Sequence, residues 1–179
     1  VQNAKHIFFC GFMGSGKSTH GKKLAAIIKQ PFVDLDQHIQ NKEHKTVQFI
    51  FDNEGEDEFR KLETKYLNEL VKLPAGHVIS LGGGTVCFNN NLDLIKKNGL
   101  LIYIEIPAAA LAERLQKSKQ KRPLLKNVLS ENLNIFIEEK LNERNLFYRQ
   151  AHITVEGLNL NHRQLYQTII EYHKANNSR

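Results

Sequence analysis

Gly11-Phe12-Met13-Gly14-Ser15-Gly16-Lys17-Ser18-Thr19 follows the apolar run Ile7-Phe8-Phe9-Cys10 and opens a helical pattern. The stretch fits G-x-x-x-x-G-K-[ST], the phosphate-binding loop, and it stands where that motif demands, after a strand and before a helix. Its glycines let successive backbone N–H groups turn inward around a polyphosphate, and the helix that starts there adds the positive end of its dipole. Gly14, Ser15, Gly16, Lys17, Ser18 and Thr19 are therefore the expected contacts of a nucleoside triphosphate. Lys17 is placed to neutralise β/γ oxygens. Ser18 is placed to offer its hydroxyl to Mg²⁺, a cation that takes oxygen ligands and keeps several waters.

The chain has 179 residues, enough for one domain with one well-formed core and too few for a second. It contains no apolar run long enough to span a membrane and no signal-peptide pattern, so no membrane partner and a cytoplasmic location are expected. Two cysteines, Cys10 and Cys87, are too few for a disulfide framework and read as buried thiols. The eight histidines show no metal-site spacing and read as scattered residues. Net charge is +6, with five Lys or Arg among residues 117–126. No aromatic residue interleaves with those cations, so nucleic acid is not expected and a small anionic ligand is.

Outward from the loop, residues 5–10 read as a buried strand and Lys17 to Lys29 as a helix with Leu24, Ala25, Ile27 and Ile28 close together on one side. Phe32-Val33 leads into Asp34-Leu35-Asp36, the expected end of a second strand, where ligands of open α/β sheets bind. An extended backbone through this triplet places both carboxylates on one side. One could hold a water on Mg²⁺ and the other accept a proton from an attacking hydroxyl; Asp36 could instead cap a helix. Residues 46–54 read as a short helix or turn, and Gly55 begins a longer helix to about Lys72, with Arg60 and Glu63 on one face. His77 to Leu81 reads as a buried strand that ends in Gly82-Gly83-Gly84, which fits either a close ligand or a tight turn.

Further on, a helix is expected over Asn89 to Lys97, a strand over 100–104 and a helix from Pro107 with Leu111 and Leu115 at i and i+4. The basic segment that follows, about 116–126, reads as a mobile lid that brings Arg122 to the transferring group. A helix over Glu131 to Tyr148, a strand at 153–155 and a C-terminal helix with Leu165, Ile169 and Tyr172 complete the alternation. About five β-α units imply a parallel sheet covered on both faces.

Six features stand in this order: the loop, the Asp34/Asp36 pair, Gly55-Glu56 with Phe59-Arg60 and Glu63, the triple glycine, Arg122-Pro123-Leu124-Leu125, and Arg144 followed by Tyr148. Together they resemble the shikimate kinases over nearly the whole chain. The resemblance implies a P-loop, nucleoside-monophosphate-kinase-like fold: three α/β/α layers, a five-stranded parallel sheet in the order 2-3-1-4-5, a substrate-binding segment at about 35–72 and a lid. It implies transfer of the γ-phosphate of ATP to the 3-hydroxyl of shikimate in the chorismate route, with Mg²⁺, by a monomer. Asp36 would bind the acceptor hydroxyls and help to take the proton. Arg60 and Arg144 would hold the carboxylate, the backbone at Gly82, Gly83 and Gly84 would meet ring hydroxyls, and Phe51 and Phe59 would wall the ring. Lys17 and Arg122 would neutralise the phosphoryl group, with Asp34 in the outer shell of Mg²⁺. Gln40 departs from the Glu common in the family, a change expected to touch only a helix surface. Arg114 is the candidate for a second lid arginine. Two arginines suit a carboxylate acceptor rather than a nucleotide, which leaves gluconate as the nearer rival substrate.

Overall fold

The computed structural model describes residues 6–74, 76–118, 122–126 and 128–177. β1 (His6–Cys10) runs into the phosphate loop and α1 (Lys17–Ile28), followed by β2 (Phe32–Asp34), α2 (Leu35–Glu43), α3 (Val47–Asn53) and α4 (Glu56–Leu70). Next come β3 (Val78–Ser80), α5 (Asn91–Asn98), β4 (Gly99–Glu105) and α6 (Ala108–Lys117). α7 (Leu133–Tyr148), β5 (Ile153–Glu156) and α8 (His162–Asn177) close the chain. The strands form one parallel sheet in the order β2-β3-β1-β4-β5.

Period-two burial on the central strands decides the layering. Ile7 and Phe9 of β1, with Leu100, Ile102 and Ile104 of β4, face a core shared with Leu24, Leu111, Ile137, Leu165 and Ile169. Phe8 and Cys10, with Leu101 and Tyr103, face the opposite core, made by Leu35, Ile39, Leu67, Ile95 and Tyr148. Helices α1, α6 and α8 thus cover one face and α2, α4 and α5 the other, while α7 contributes to both. Each large apolar side chain taken from water adds about 1.5–3 kcal/mol, so a sheet buried on both faces is fixed in register by its own pattern.

The element boundaries correct several expectations. Extended backbone stops at Asp34, and α2 starts at Leu35, so Asp36 stands in a first helical turn rather than on a strand. The cap is Asp34, whose Oδ1 accepts from the Gln37 N–H at 3.2 Å, and not Asp36. On α1, Leu24 and Ala25 are buried while Ile27 is exposed, because Ile27 lies off the sheet-facing stripe. α4 ends at Leu70, β3 omits His77, α5 starts at Asn91, and a 3₁₀ turn (Ser130–Asn132) precedes α7. Cys10 is buried and Cys87 only partly so. Gln40 is more than helix surface, since its Oε1 accepts from the Val47 N–H at 3.0 Å and ties α2 to α3.

Candidate active site

The phosphate loop bends sharply after β1. Gly14 (φ 81) and Gly16 (φ 89) adopt left-handed backbone that a side chain would strain, and Gly16 caps α1 without a side-chain acceptor. The first N–H groups of α1 therefore have no side-chain acceptor at the cap. Lys17 is buried, with Nζ donating to the carbonyls of Gly11 at 2.9 Å and Phe12 at 3.0 Å. Burial lowers its pKa, and the Asp36 carboxylate opposes that shift. Ser18 Oγ donates to Asp34 Oδ2 and lies 3.2 Å from Ser80 Oγ.

Three hollows meet at the carboxyl ends of β1, β2 and β3. One of about 270 Å³ follows the loop past Gly14, Gly16, Lys17, Ser18 and Thr19. Another, of about 470 Å³, opens between α1 and α2 past Ser18, Lys22, Asp34 and Gln37. The smallest, of about 70 Å³, is bounded by Met13, Val47, Phe51, Phe59, Arg60, Gly82, Gly83, Gly84, Leu124 and Arg144. Asp36 and Arg122 line all three. Asp36 Oδ1 is buried with no hydrogen-bond partner among the described residues. Burial, then the carboxylates of Glu63 and Asp34, push the Asp36 carboxyl up to about 7, against the pull of Lys17 and Arg122.

The smallest hollow is a charged box. Arg60, 6% exposed, gives Nε and Nη2 to Glu56 Oε1 at 3.1 and 2.7 Å, and Nη1 to Glu63 Oε2. Glu63 is fully buried, and its Oε1 accepts from the Thr85 hydroxyl at 2.5 Å. Gly83 O accepts from Arg144 Nη1 at 3.2 Å and from the Tyr148 hydroxyl. The Phe51 and Phe59 rings lie 4.8 Å apart, centroid to centroid. None of the three glycines has positive φ, so turn geometry does not require them. Space does: a Cβ on Gly82 would lie 2.4 Å from Glu63 Oε1 and 2.9 Å from Asp36 Oδ1, and one on Gly84 would lie 2.8 Å from Arg60 Nη2.

Shikimate kinase is the family model that matches the chain, over residues 13–174. The chain belongs to the shikimate kinase family. The shikimate kinase of Parabacteroides distasonis is 40% identical over 153 residues, 86% of this chain and 88% of that protein. The solved structure of the shikimate kinase from Acinetobacter baumannii in complex with shikimate is similar at TM-score 0.86 and 34% identity, covering 98% of this chain and 96% of that one. A gluconokinase from Sinorhizobium meliloti, at TM-score 0.53 and 16% identity over 87% of this chain and 84% of that one, shares the fold alone. As a shikimate kinase family member the chain is an ATP-dependent phosphotransferase with an alcohol acceptor.

Against this shikimate kinase frame, the structure brings Lys17, Ser18, Asp34, Asp36 and Arg122 to one cleft, and Phe51, Phe59, Arg60, the triple glycine and Arg144 to its neighbour. Of the basic segment, α6 runs through Lys117 and a 3₁₀ turn spans Pro123–Leu125; Lys119 and Lys121 lie outside the described residues. Arg114 Nη1 donates to Gly14 O at 3.3 Å, beside the loop. Glu56, named with Gly55 in the sequence pattern but given no role there, pairs with Arg60 across the i−4 spacing that a helix allows. No acceptor role was read for Met13 within the phosphate loop, for Val47 or Phe88, which carry no motif, or for His20 and His162, stacked with Nδ1 and Nε2 3.0 Å apart although 142 residues separate them.

Proposed function

We propose that Asp36 accepts the proton of the shikimate 3-hydroxyl while that oxygen attacks the γ-phosphorus of ATP. The bond to the β–γ bridging oxygen breaks, ADP leaves, and shikimate 3-phosphate remains, a step towards chorismate and the aromatic amino acids. One observation carries this reading: Asp36 Oδ1 has no partner among the described residues and stands where the loop hollow meets the charged box. A carboxyl pushed up to about 7 is about half ionised at neutral pH, and its ionised form is a stronger base than an ordinary aspartate.

Phosphoryl transfer depends on alignment and on charge neutralisation rather than on covalent help from the protein. Lys17 and the backbone N–H groups from Gly14 to Thr19 would hold the β/γ oxygens, and Arg122 would approach the group in transit. Arg60 and Arg144 would grip the acceptor carboxylate with paired N–H donors, Gly82, Gly83 and Gly84 would admit the ring, and Phe51 and Phe59 would wall it. Ser18 and Asp34 offer oxygen donors only, and no group of three or more His, Cys, Asp or Glu among the described residues makes a closed metal cage. Such a pair fits Mg²⁺, which completes its shell from phosphate and water; Ser18 would ligate it directly and Asp34 through a water. Bound there, Mg²⁺ would neutralise the polyphosphate.

The described residues act as a single domain, with about 35–72 as the acceptor-binding segment; of the lid segment at about 116–126, residues 119–121 lie outside the described residues, and Arg122 borders the cleft. Both ends of the cleft come from one chain, which supports a working monomer. Free cysteines suit a reducing cytoplasm, and no described helix is long and apolar enough to cross a membrane. ADP release with ATP and Mg²⁺ is expected to depend on shikimate and to stay at background with gluconate. Turnover of gluconate without turnover of shikimate would reassign the acceptor.

A further inference from the structure

Phe88 does not line the acceptor hollow, yet its ring lies over the Arg60 guanidinium with 4.4 Å from Cζ to centroid, nearer than Phe59 at 5.4 Å or Phe51 at 5.9 Å. Core packing does not account for its place, because the residue remains 37% exposed. The chain is turned to put it there. Asn89 (φ 52) and Asn90 (φ 56) are consecutive left-handed residues, and Asn89 Nδ2 donates to Arg60 O at 3.3 Å and to Thr64 Oγ1 at 3.1 Å. The segment after the triple glycine is thereby fastened to α4 beside Arg60.

Arginine carries five N–H donors. Glu56 and Glu63 take three of them, from Nε, Nη2 and Nη1, which leaves one on each terminal nitrogen. Two such donors can meet a carboxylate in a bidentate pair, provided that the guanidinium plane is held. The glutamates fix the group within its plane, and a ring against its face resists tilting out of that plane while adding a cation–π attraction.

We infer that Phe88 is a positioning residue for acceptor binding: it holds the plane of the Arg60 guanidinium so that its remaining N–H pair meets the acceptor carboxylate. The inference rests on the reading of Arg60 as a carboxylate ligand, and the experiment separates the two. Steady-state constants for shikimate and ATP would be measured for the unaltered protein, Phe88→Leu, Phe88→Tyr and Arg60→Lys, with shikimate carboxamide as a second acceptor and circular dichroism as a check of folding. Loss of the ring is expected to raise KM for shikimate roughly three- to tenfold, the range that a partly exposed cation–π contact allows. The kcat, the KM for ATP and the KM for the carboxamide would hold within about twofold of the unaltered protein's values. Phe88→Tyr, which keeps the ring, would restore the shikimate KM. An unchanged shikimate KM in Phe88→Leu beside a raised one in Arg60→Lys would overturn the role of Phe88 and leave that of Arg60 standing. If Arg60→Lys also left it unchanged, the carboxylate reading would fall and the inference with it.

Discussion

The proposed nucleotide end of the cleft centres on one run of the chain, Met13 to Thr19, which Asp34, Asp36, Leu81, Gly83 and Arg122 join, whereas the proposed acceptor end has no such run and gathers Met13, Asp36, Phe51, Arg60, Gly83, Leu124 and Arg144 from separate segments. The first works through main-chain N–H groups held open by glycine φ angles and a helix start. The second would work through buried charged side chains: Arg60, 6% exposed and paired with Glu56 and with Glu63 at 0%, and Arg144, 7% exposed and bonded to the Gly83 carbonyl. A backbone site depends on local conformation and tolerates change nearby. A site of buried charges depends on every partner, because removing one leaves another uncompensated. Substitutions at the acceptor end should therefore disturb folding as well as binding.

Asp36, which borders both ends, gives the largest expected effect. Asp36→Asn is predicted to lower kcat by about 10³-fold, the scale of a lost general base. In the unaltered protein, kcat/KM is predicted to fall about tenfold per pH unit below about 7, as the carboxyl takes up its proton. The stability change runs the other way. Because the fold raises this pKa from 3.8 to about 7, it favours the neutral form, so the unaltered protein loses stability as pH rises between those values. Asp36→Asn is thus predicted to gain up to about 4 kcal/mol in urea unfolding at pH 8, a gain that vanishes near pH 4. A variant that is inactive and also less stable at pH 8 would show that Asp36 serves the fold.

Arg60→Ala sharpens the comparison. Loss of paired charge-assisted bonds is predicted to raise KM for shikimate roughly 30- to 100-fold with little change in KM for ATP. It also strands Glu63, whose remaining partner in the box is the Thr85 hydroxyl. Unfolding should therefore cost about 3 kcal/mol less than in the unaltered protein. Arg60→Ala with Glu63→Gln removes both charges and should recover much of that stability while shikimate binding stays weak. If the double variant is no more stable than the single one, the buried pair is not what couples binding to folding here.

How much could be read in advance follows the same division. Consecutive residues with their own spacing, such as the phosphate loop and the alternation of β1 and β4, were legible because local sequence determines them. Strand order came only through the family resemblance, since no local pattern says which strands become neighbours. The triplet from Asp34 to Asp36 was misread as extended: Asp34 can both end a strand and cap a helix, and pairing of Asp34 with Ser80 in β3 settles where the change falls. Glycines at 82–84 pointed to a close approach, but what approaches, Glu63, Asp36 and Arg60, is a tertiary fact. Phe88 left no trace at all, because a lone aromatic gains its meaning only from the arginine under it.

The smallest expected effect lies where the basic segment crosses to the acceptor side. Lys126 Nζ lies 2.8 Å from Asp52 Oδ1 on α3, and Asp52 also accepts from Gln48 Nε2 at 2.9 Å. Pro123 and Leu124, from the same short turn as Lys126, line the acceptor hollow next to Val47 and Phe51 of α3. The ion pair thus joins two segments that border one hollow. Both side chains are exposed, 62% for Lys126 and 37% for Asp52, so water and salt weaken their attraction. Asp52→Lys is predicted to raise KM for shikimate by less than about threefold at low salt, and by nothing measurable at high salt. Swapping the charges, Asp52→Lys with Lys126→Asp, should restore the original value. A loss that persists at high salt and survives the swap would mean that Asp52 acts through its bond to Gln48 and the shape of α3. The acceptor end would then owe its sensitivity to helix geometry as well as to charge.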